Sequence, residues 1–252
     1  MAFEIGRGKI DSFKENGFVR IEGVLTQSEV MQYQTAARKA LDRLNFNGGD
    51  EYQNALTQIV NIWRRDENFK ALTLHKKLAS VATQLAGAPL RIWHDHLLSK
   101  KPHNNAATEW HQDRPKWPLQ GKKVNLSAWV ALQDTNVEMG CMSFIPGSHR
   151  YSDIPNANLL DPKALFRGAP HLEYAESVSV PLKAGDCTFH YGETAHRAGP
   201  NLTDRWRIAQ TIIYIDAETT LSDQGHIVTN DLVRNGLLKV GDVIDHERCP
   251  RV

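Results

Sequence analysis

The chain opens on an apolar–polar alternation at Gly17-Phe18-Val19-Arg20-Ile21, which predicts a short strand. Thr26-Gln27-Ser28-Glu29 follows as a capping-box pattern and predicts a helix running to about Leu44, ended by the Asn47-Gly48-Gly49-Asp50 cluster. A second helix is predicted from about Asn68 to Leu85: Leu72, Leu78, Val81, Ala82 and Leu85 form its stripe, and Gly87 and Pro89 stop it. From Leu90 the texture changes to short β-like runs at Val124 to Leu132, Ser143 to Ile145, Val178 to Leu182 and Ile208 to Ile215, parted by Gly, Pro, Asn and Asp clusters. The expected fold class is therefore mainly β with flanking helices, a sandwich or jelly roll carrying an N-terminal helical layer. One domain over residues 1–252 is expected, with a helix-rich part (1–89), a β core (90–216) and a polar, weakly periodic closing segment (217–252).

Composition narrows the function. The 252 residues are 41% hydrophobic, enough to bury a substantial core. Thirty basic against 29 acidic residues leave a formal charge of +1 with no long run of either sign, so neither nucleic acid nor a membrane surface is expected as partner. No apolar run reaches signal-peptide or spanning length, which predicts a soluble protein. Cys141, Cys187 and Cys249 have no CxxC spacing, arguing against a disulfide framework or a structural zinc site and for a reducing, cytoplasmic setting.

The sharpest local feature is Glu109-Trp110-His111-Gln112-Asp113. An extended chain turns residues i and i+2 to one face, so His111 and Asp113 are presented together. His196, beyond the strand-like Gly185-Asp186-Cys187-Thr188-Phe189, is the best third ligand. Two histidines and a carboxylate on one face of an octahedron leave open positions for Fe(II) oxygen chemistry. With 11 histidines in the chain this spacing alone is weak, and Trp93-His94-Asp95-His96 offers a rival site. Arg207, at the head of an apolar strand, adds a fork suited to a carboxylate co-substrate.

In combination, these residues resemble the phytanoyl-CoA dioxygenase family of iron and 2-oxoglutarate oxygenases. The likeness runs from Gly17-Phe18-Val19 to about Ile215. It is carried by Trp110-His111-Gln112-Asp113, Ser127-Ala128-Trp129-Val130-Ala131-Leu132, the PGSH turn of Gly140 to His149, Gly185-Asp186, and His196-Arg197-Ala198-Gly199-Pro200-Asn201 through Arg207. The resemblance implies a double-stranded β-helix with His111, Asp113 and His196 as iron ligands. It also implies Arg207 on the distal carboxylate of 2-oxoglutarate, Trp129 beside that co-substrate, and His96 and Lys100 in contact with it. Arg205 is the competitor of Arg207 and reads as a turn residue. Met139 stands where the family commonly has Asn, and Ala198 where it often has Ser or Thr, which removes one hydrogen bond to the co-substrate. His149 reads as structural, His75 as a surface residue of the second helix, and His190 fits either a support for the site or a core histidine.

The function so implied consumes Fe(II), 2-oxoglutarate and O2, hydroxylates an unactivated C–H bond of a small-molecule metabolite, and releases succinate and CO2. Halogenases of this broad superfamily have a small residue where Asp113 stands, so the carboxylate points to hydroxylation, with desaturation, ring closure and epoxidation open to the same centre. Arg114, Trp117, the Lys101-Pro102-His103-Asn104 loop and the Tyr151 to Tyr174 connection are expected to rim the pocket as substrate contacts. Two other classes are compatible with the residues: a zinc hydrolase using the same three ligands, and a non-catalytic jelly-roll binding protein.

Overall fold

The computed structural model describes residues 3–44, 56–121, 123–152 and 154–252. Two antiparallel sheets face each other. The larger has the order β1-β8-β5-β10-β3-β2, built from β1 (Phe18–Ile21), β2 (Thr57–Val60), β3 (Leu90–Lys100), β5 (Asn125–Ala131), β8 (Cys187–Tyr191) and β10 (Arg207–Asp216). The smaller, β4-β9-β6-β7, comprises β4 (Thr108–His111), β6 (Met142–Phe144), β7 (Val178–Val180) and β9 (His196–Ala198).

The central strands are buried on both faces, and their period of two sorts the side chains. Leu126, Ala128 and Val130 of β5, with Ile208, Ile212 and Tyr214 of β10, face the helices. Trp129, Ala131 and Ala209 face inward and meet Met142, Phe144 and Ala198 of the small sheet. The outer layer consists of α1 (Arg7–Asn16), α2 (Gln27–Asp42), α3 (Glu67–Thr73) and α4 (Lys76–Ala86). The capping box of Thr26 and Glu29 opens α2 as expected, while the Asn47 to Asp50 cluster lies outside the described residues.

The expected second helix is two. Asp66 caps α3 through the amides of Asn68 and Phe69, and the chain breaks at Leu74-His75 before α4. The break places Thr73 where its hydroxyl donates to Asp95 at 3.0 Å. His75 is thus a half-buried residue between helices rather than a surface one, its Nε2 3.2 Å from Glu29.

The segment after Ala217 also departs from its polar appearance. Val228, Leu232, Leu238, Ile244 and Cys249 bury themselves against Trp93, Trp117 and Ile215, with the short helix Asn230–Arg234 at the centre. Full burial of each such side chain is worth ~1.5–3 kcal/mol. The β3–β10 register skips Trp93 at a bulge between Ile213 and Tyr214, which gives this segment its anchor. Among the described residues no helix is long and apolar enough to cross a membrane.

Candidate active site

His111 and His196 are register partners across β4 and β9, with ring centres 4.2 Å apart. Asp113 lies just past β4, where its amide and that of Arg114 donate to Gly192 O at 2.8 and 2.9 Å. Its carboxylate oxygens sit 3.5 Å from His111 Nε2 and 3.8 Å from His196 Nε2. Between the ligands, Gln112 turns to the opposite side and donates to the carbonyls of Tyr151 and Glu193, fixing the segment against two turns.

The hydrogen bonds set the ring tautomers. His111 Nδ1–H donates to Glu109 O at 2.6 Å and His196 Nδ1–H to Thr194 O at 2.9 Å, so each Nε2 presents a free lone pair. Burial pulls both imidazoles down, keeping them neutral. Burial pushes the Asp113 carboxyl up, yet the group stays well below the usual carboxylate range. One ligand atom from each of the three residues lies within 4.8 Å of the others, and this is the only such group among the described residues. A neutral–neutral–anionic donor set of this kind fits a divalent first-row cation with open positions.

Arg207 begins β10 and points into the same cavity, which has a volume of about 290 Å³. It is 1% exposed, yet none of its guanidinium nitrogens has a hydrogen-bond partner among the described residues. Burial pulls its pKa down to about 10, which leaves it charged at neutral pH. A buried, unpaired cation is costly enough that the fork calls for an anionic ligand. Trp129 flanks it, with the guanidinium carbon 5.5 Å from the indole centre. The hydroxyls of Thr108 and Thr211, also without partners, line the same cavity. Thr108 stands opposite Ala198 in the β4–β9 register, so a hydroxyl faces the cavity across from the position where the resembling family often carries one.

The residue matches of this site extend over the chain. The Phytanoyl-CoA dioxygenase (PhyH) family model matches residues 13–209. The chain belongs to the phytanoyl-CoA dioxygenase family. A curated member, phytanoyl-CoA dioxygenase domain-containing protein 1 of Bos taurus, is 29% identical over 163 residues, 62% of this chain and 55% of its own length. The chain thus spans about half the length of the curated relatives it matches first. Solved relatives align nearly end to end. The non-heme alpha ketoglutarate dependent carbocyclase SnoK from nogalamycin biosynthesis is 31% identical with a TM-score of 0.87, covering 99% of this chain and 97% of that one. The epimerase SnoN, solved with Fe3+, alpha ketoglutarate and nogalamycin RO, is 32% identical with a TM-score of 0.85, covering 97% of each. The jelly-roll architecture, the iron-and-2-oxoglutarate character of these relatives and the His-Asp-His triad agree with one another.

Several expected contacts lie elsewhere. Lys100 does not line the cavity: its Nζ donates to the carbonyls of Ala106, Ala198 and Gly199 at 2.8, 3.2 and 2.8 Å, leaving no donor for 2-oxoglutarate. Burial pulls its amine down to about 6, and the three carbonyls favour the protonated form. The Arg114 guanidinium is turned away, donating to the carbonyls of Trp117, Leu119 and Gly121. His103 adopts a positive φ of 51° in a turn away from the cavity. Among the described residues of the Tyr151 to Tyr174 connection, only Leu159 reaches the wall. Arg205 is 75% exposed and lies beside Asp204, in keeping with its reading as a turn residue.

His96 and Trp117 do line the cavity, together with His94. The rival metal cluster is dispersed, because Asp95 faces the helices and accepts from Trp63 N, Thr73 and Gln210. Gln58 Nε2 donates to His96 Nδ1, and burial holds the His96 ring down at about 4. Several cavity residues, Thr108, Thr211, His226 and Lys116 among them, were not singled out in the sequence. His226, 5.4 Å from the His94 ring, comes from the closing segment and leaves no local signal. Lys116 was legible in principle, being three residues past Asp113 in a Pro-containing turn.

Proposed function

We propose that this chain is an Fe(II)- and 2-oxoglutarate-dependent oxygenase that removes hydrogen from an unactivated C–H bond of a small natural-product-like metabolite, with release of succinate and CO2. The observation that carries this reading is Arg207: a buried, partnerless guanidinium beside a three-ligand metal set, where a dicarboxylate can reach both. His111, Asp113 and His196 would hold iron, which when bound with 2-oxoglutarate supplies the activation of O2. The chain's own residues do the rest. Arg207 pairs bidentately with the distal carboxylate, Thr108 and Thr211 donate beside it, and Trp129 closes one side against water. Glu109 O and Thr194 O keep the imidazole protons on Nδ1.

Hydroxylation is the outcome Asp113 favours, since its carboxylate occupies the position a halide would need. Ring closure and epimerisation, the activities named for SnoK and SnoN, are other outcomes open to a centre of this kind. A zinc hydrolase at the same ligands has no use for Arg207. A reducing, cytoplasmic location belongs to this proposal, supported by Cys141, Cys187 and Cys249, which are buried and unpaired. The test is O2-dependent conversion of 2-oxoglutarate to succinate by the Fe(II)-loaded protein. Succinate formation that vanishes with His196→Ala is expected; equal turnover in that variant would dismiss the proposal.

A further inference from the structure

Asp113 and Lys116 bracket a 3-10 turn, Arg114–Lys116, entered through Pro115, and Lys116 N donates to Asp113 O at 3.0 Å. Residues i and i+3 of such a turn eclipse one another, so both side chains face the cavity while Arg114 between them is directed to backbone carbonyls. Lys116 is half-buried, and no hydrogen bond or close ion pair holds its ammonium among the described residues; burial pulls its pKa down and the Asp113 carboxylate, within electrostatic reach, offsets part of that.

The metal centre does not require this charge. The charges of ferrous iron and Arg207 are together matched by Asp113 and the two carboxylates of 2-oxoglutarate, so that set is neutral without Lys116. Beyond Lys116 the wall is ring-lined. Trp117 is edge-on to His94 with centres 6.3 Å apart, and His226 lies 5.4 Å from His94. Burial keeps His94 and His226 uncharged, so this side of the cavity offers flat apolar surface with neutral polar edges. We propose that Lys116 is the anion-binding group of the substrate subsite, and that the substrate is a ring-bearing small molecule presenting an oxyanion, a carboxylate or an ionised phenol, to that lysine. This rests on the oxygenase reading, in which Arg207 is already taken by the co-substrate.

The experiment uses the anaerobic Fe(II)·2-oxoglutarate-loaded protein and matched colourless, weakly chelating probes: 2-naphthoate against 2-naphthamide, and pentafluorophenolate against pentafluoroanisole. Binding is read by calorimetry, and the visible absorption of the metal centre is recorded on the same samples. The wild type should prefer each anion, or one of the two, by about tenfold over its neutral partner, as a charge-assisted contact would give. Lys116→Met should erase that preference while leaving the neutral probes and the visible band unchanged, and Lys116→Arg should keep most of it. Which anion loses affinity identifies the oxyanion. No anion preference in the wild type, no binding of any probe, or equal loss of anionic and neutral probes in Lys116→Met overturns the proposal. So does a Lys116→Met variant that loses 2-oxoglutarate instead, since the lysine would then belong to the metal centre. A wild type without the visible band sinks the oxygenase reading itself, and this inference with it.

Discussion

Arg207 and Trp129 meet on neighbouring strands, the guanidinium carbon 5.5 Å from the indole centre, in a pocket where the arginine has no other polar partner among the described residues. The indole face steadies the cation while leaving its fork free for a carboxylate. Arg207→Ala should therefore weaken 2-oxoglutarate binding by ~2–5 kcal/mol, the usual loss when one partner of a buried charge pair is removed. Fe(II) affinity should stay nearly unchanged, and Arg207→Lys should restore only part because it lacks the bidentate fork. Arg205→Ala, on the exposed turn, should have little effect. Titration of both ligands into the variants checks this; equal losses from the two arginines would reject the assignment.

Thr108 tests how this chain compensates for Ala198. Its unpartnered hydroxyl stands across the β4–β9 rung from that alanine, on the cavity wall. Thr108→Val should lower 2-oxoglutarate affinity by ~1.5–3 kcal/mol, the scale of a hydrogen bond to a charged group. The double variant Thr108→Val with Ala198→Ser should recover most of it. A double variant no better than the single one would separate the two positions.

His190 is 1% exposed, sets its ring centre 4.5 Å from that of His196 in a tilted arrangement, and carries Nε2 3.7 Å from Asp113 Oδ2, where Ser127 also approaches at 3.5 Å. Such supports of a metal-bound carboxylate typically account for a ~10–100-fold change in metal affinity. His190→Phe should lower Fe(II) affinity on that scale with little change in melting temperature, since the ring volume is kept. Anaerobic metal titration alongside thermal unfolding distinguishes this from a packing role, which would move the melting temperature and leave the metal in place.

The β core was legible from the apolar alternation of its strand runs, whereas the HxD spacing left only a weak mark, and His111, Asp113, His196 and Arg207 were singled out together by the resemblance of the longer motifs. His226 and the free pocket-facing hydroxyl of Thr108 were not legible, since they reach the cavity through tertiary placement of a polar tail and a strand register; Lys116 was within reach, three residues past Asp113 in a Pro-containing turn, but was not singled out. Lys100 shows the opposite case. Its strand position puts it on the expected face, yet the nearby carbonyls of Ala106, Ala198 and Gly199 take its donors before a ligand can. The break at His75 falls between Leu72 and Leu78, which lie ~240° apart around a continuous helix, so the stripe slips there; it was hidden because Leu78, Val81, Ala82 and Leu85 are in phase among themselves.

Asp95 gives a pH-dependent expectation away from the metal. Burial pushes its carboxyl up to about 7 against the three donors Thr73, Trp63 N and Gln210. A raised carboxyl favours the protonated fold, so its contribution is full below the unfolded value near ~4. That contribution is lost as pH rises through about 7. Asp95→Asn should gain stability relative to the wild type on going from about pH 4 to about pH 8. Melting curves of the pair across that range would show a constant offset if Asp95 were not raised.

The central claim, that His111, Asp113 and His196 hold iron with 2-oxoglutarate chelated beside Arg207, is tested most directly by one spectrum. Apo protein is mixed anaerobically with Fe(II), then with 2-oxoglutarate, and the visible absorption is followed. A charge-transfer band that grows only when both are present, and is absent in His196→Ala, is the expected result. No band in the wild type, with tight zinc binding retained at the same three residues, would contradict it.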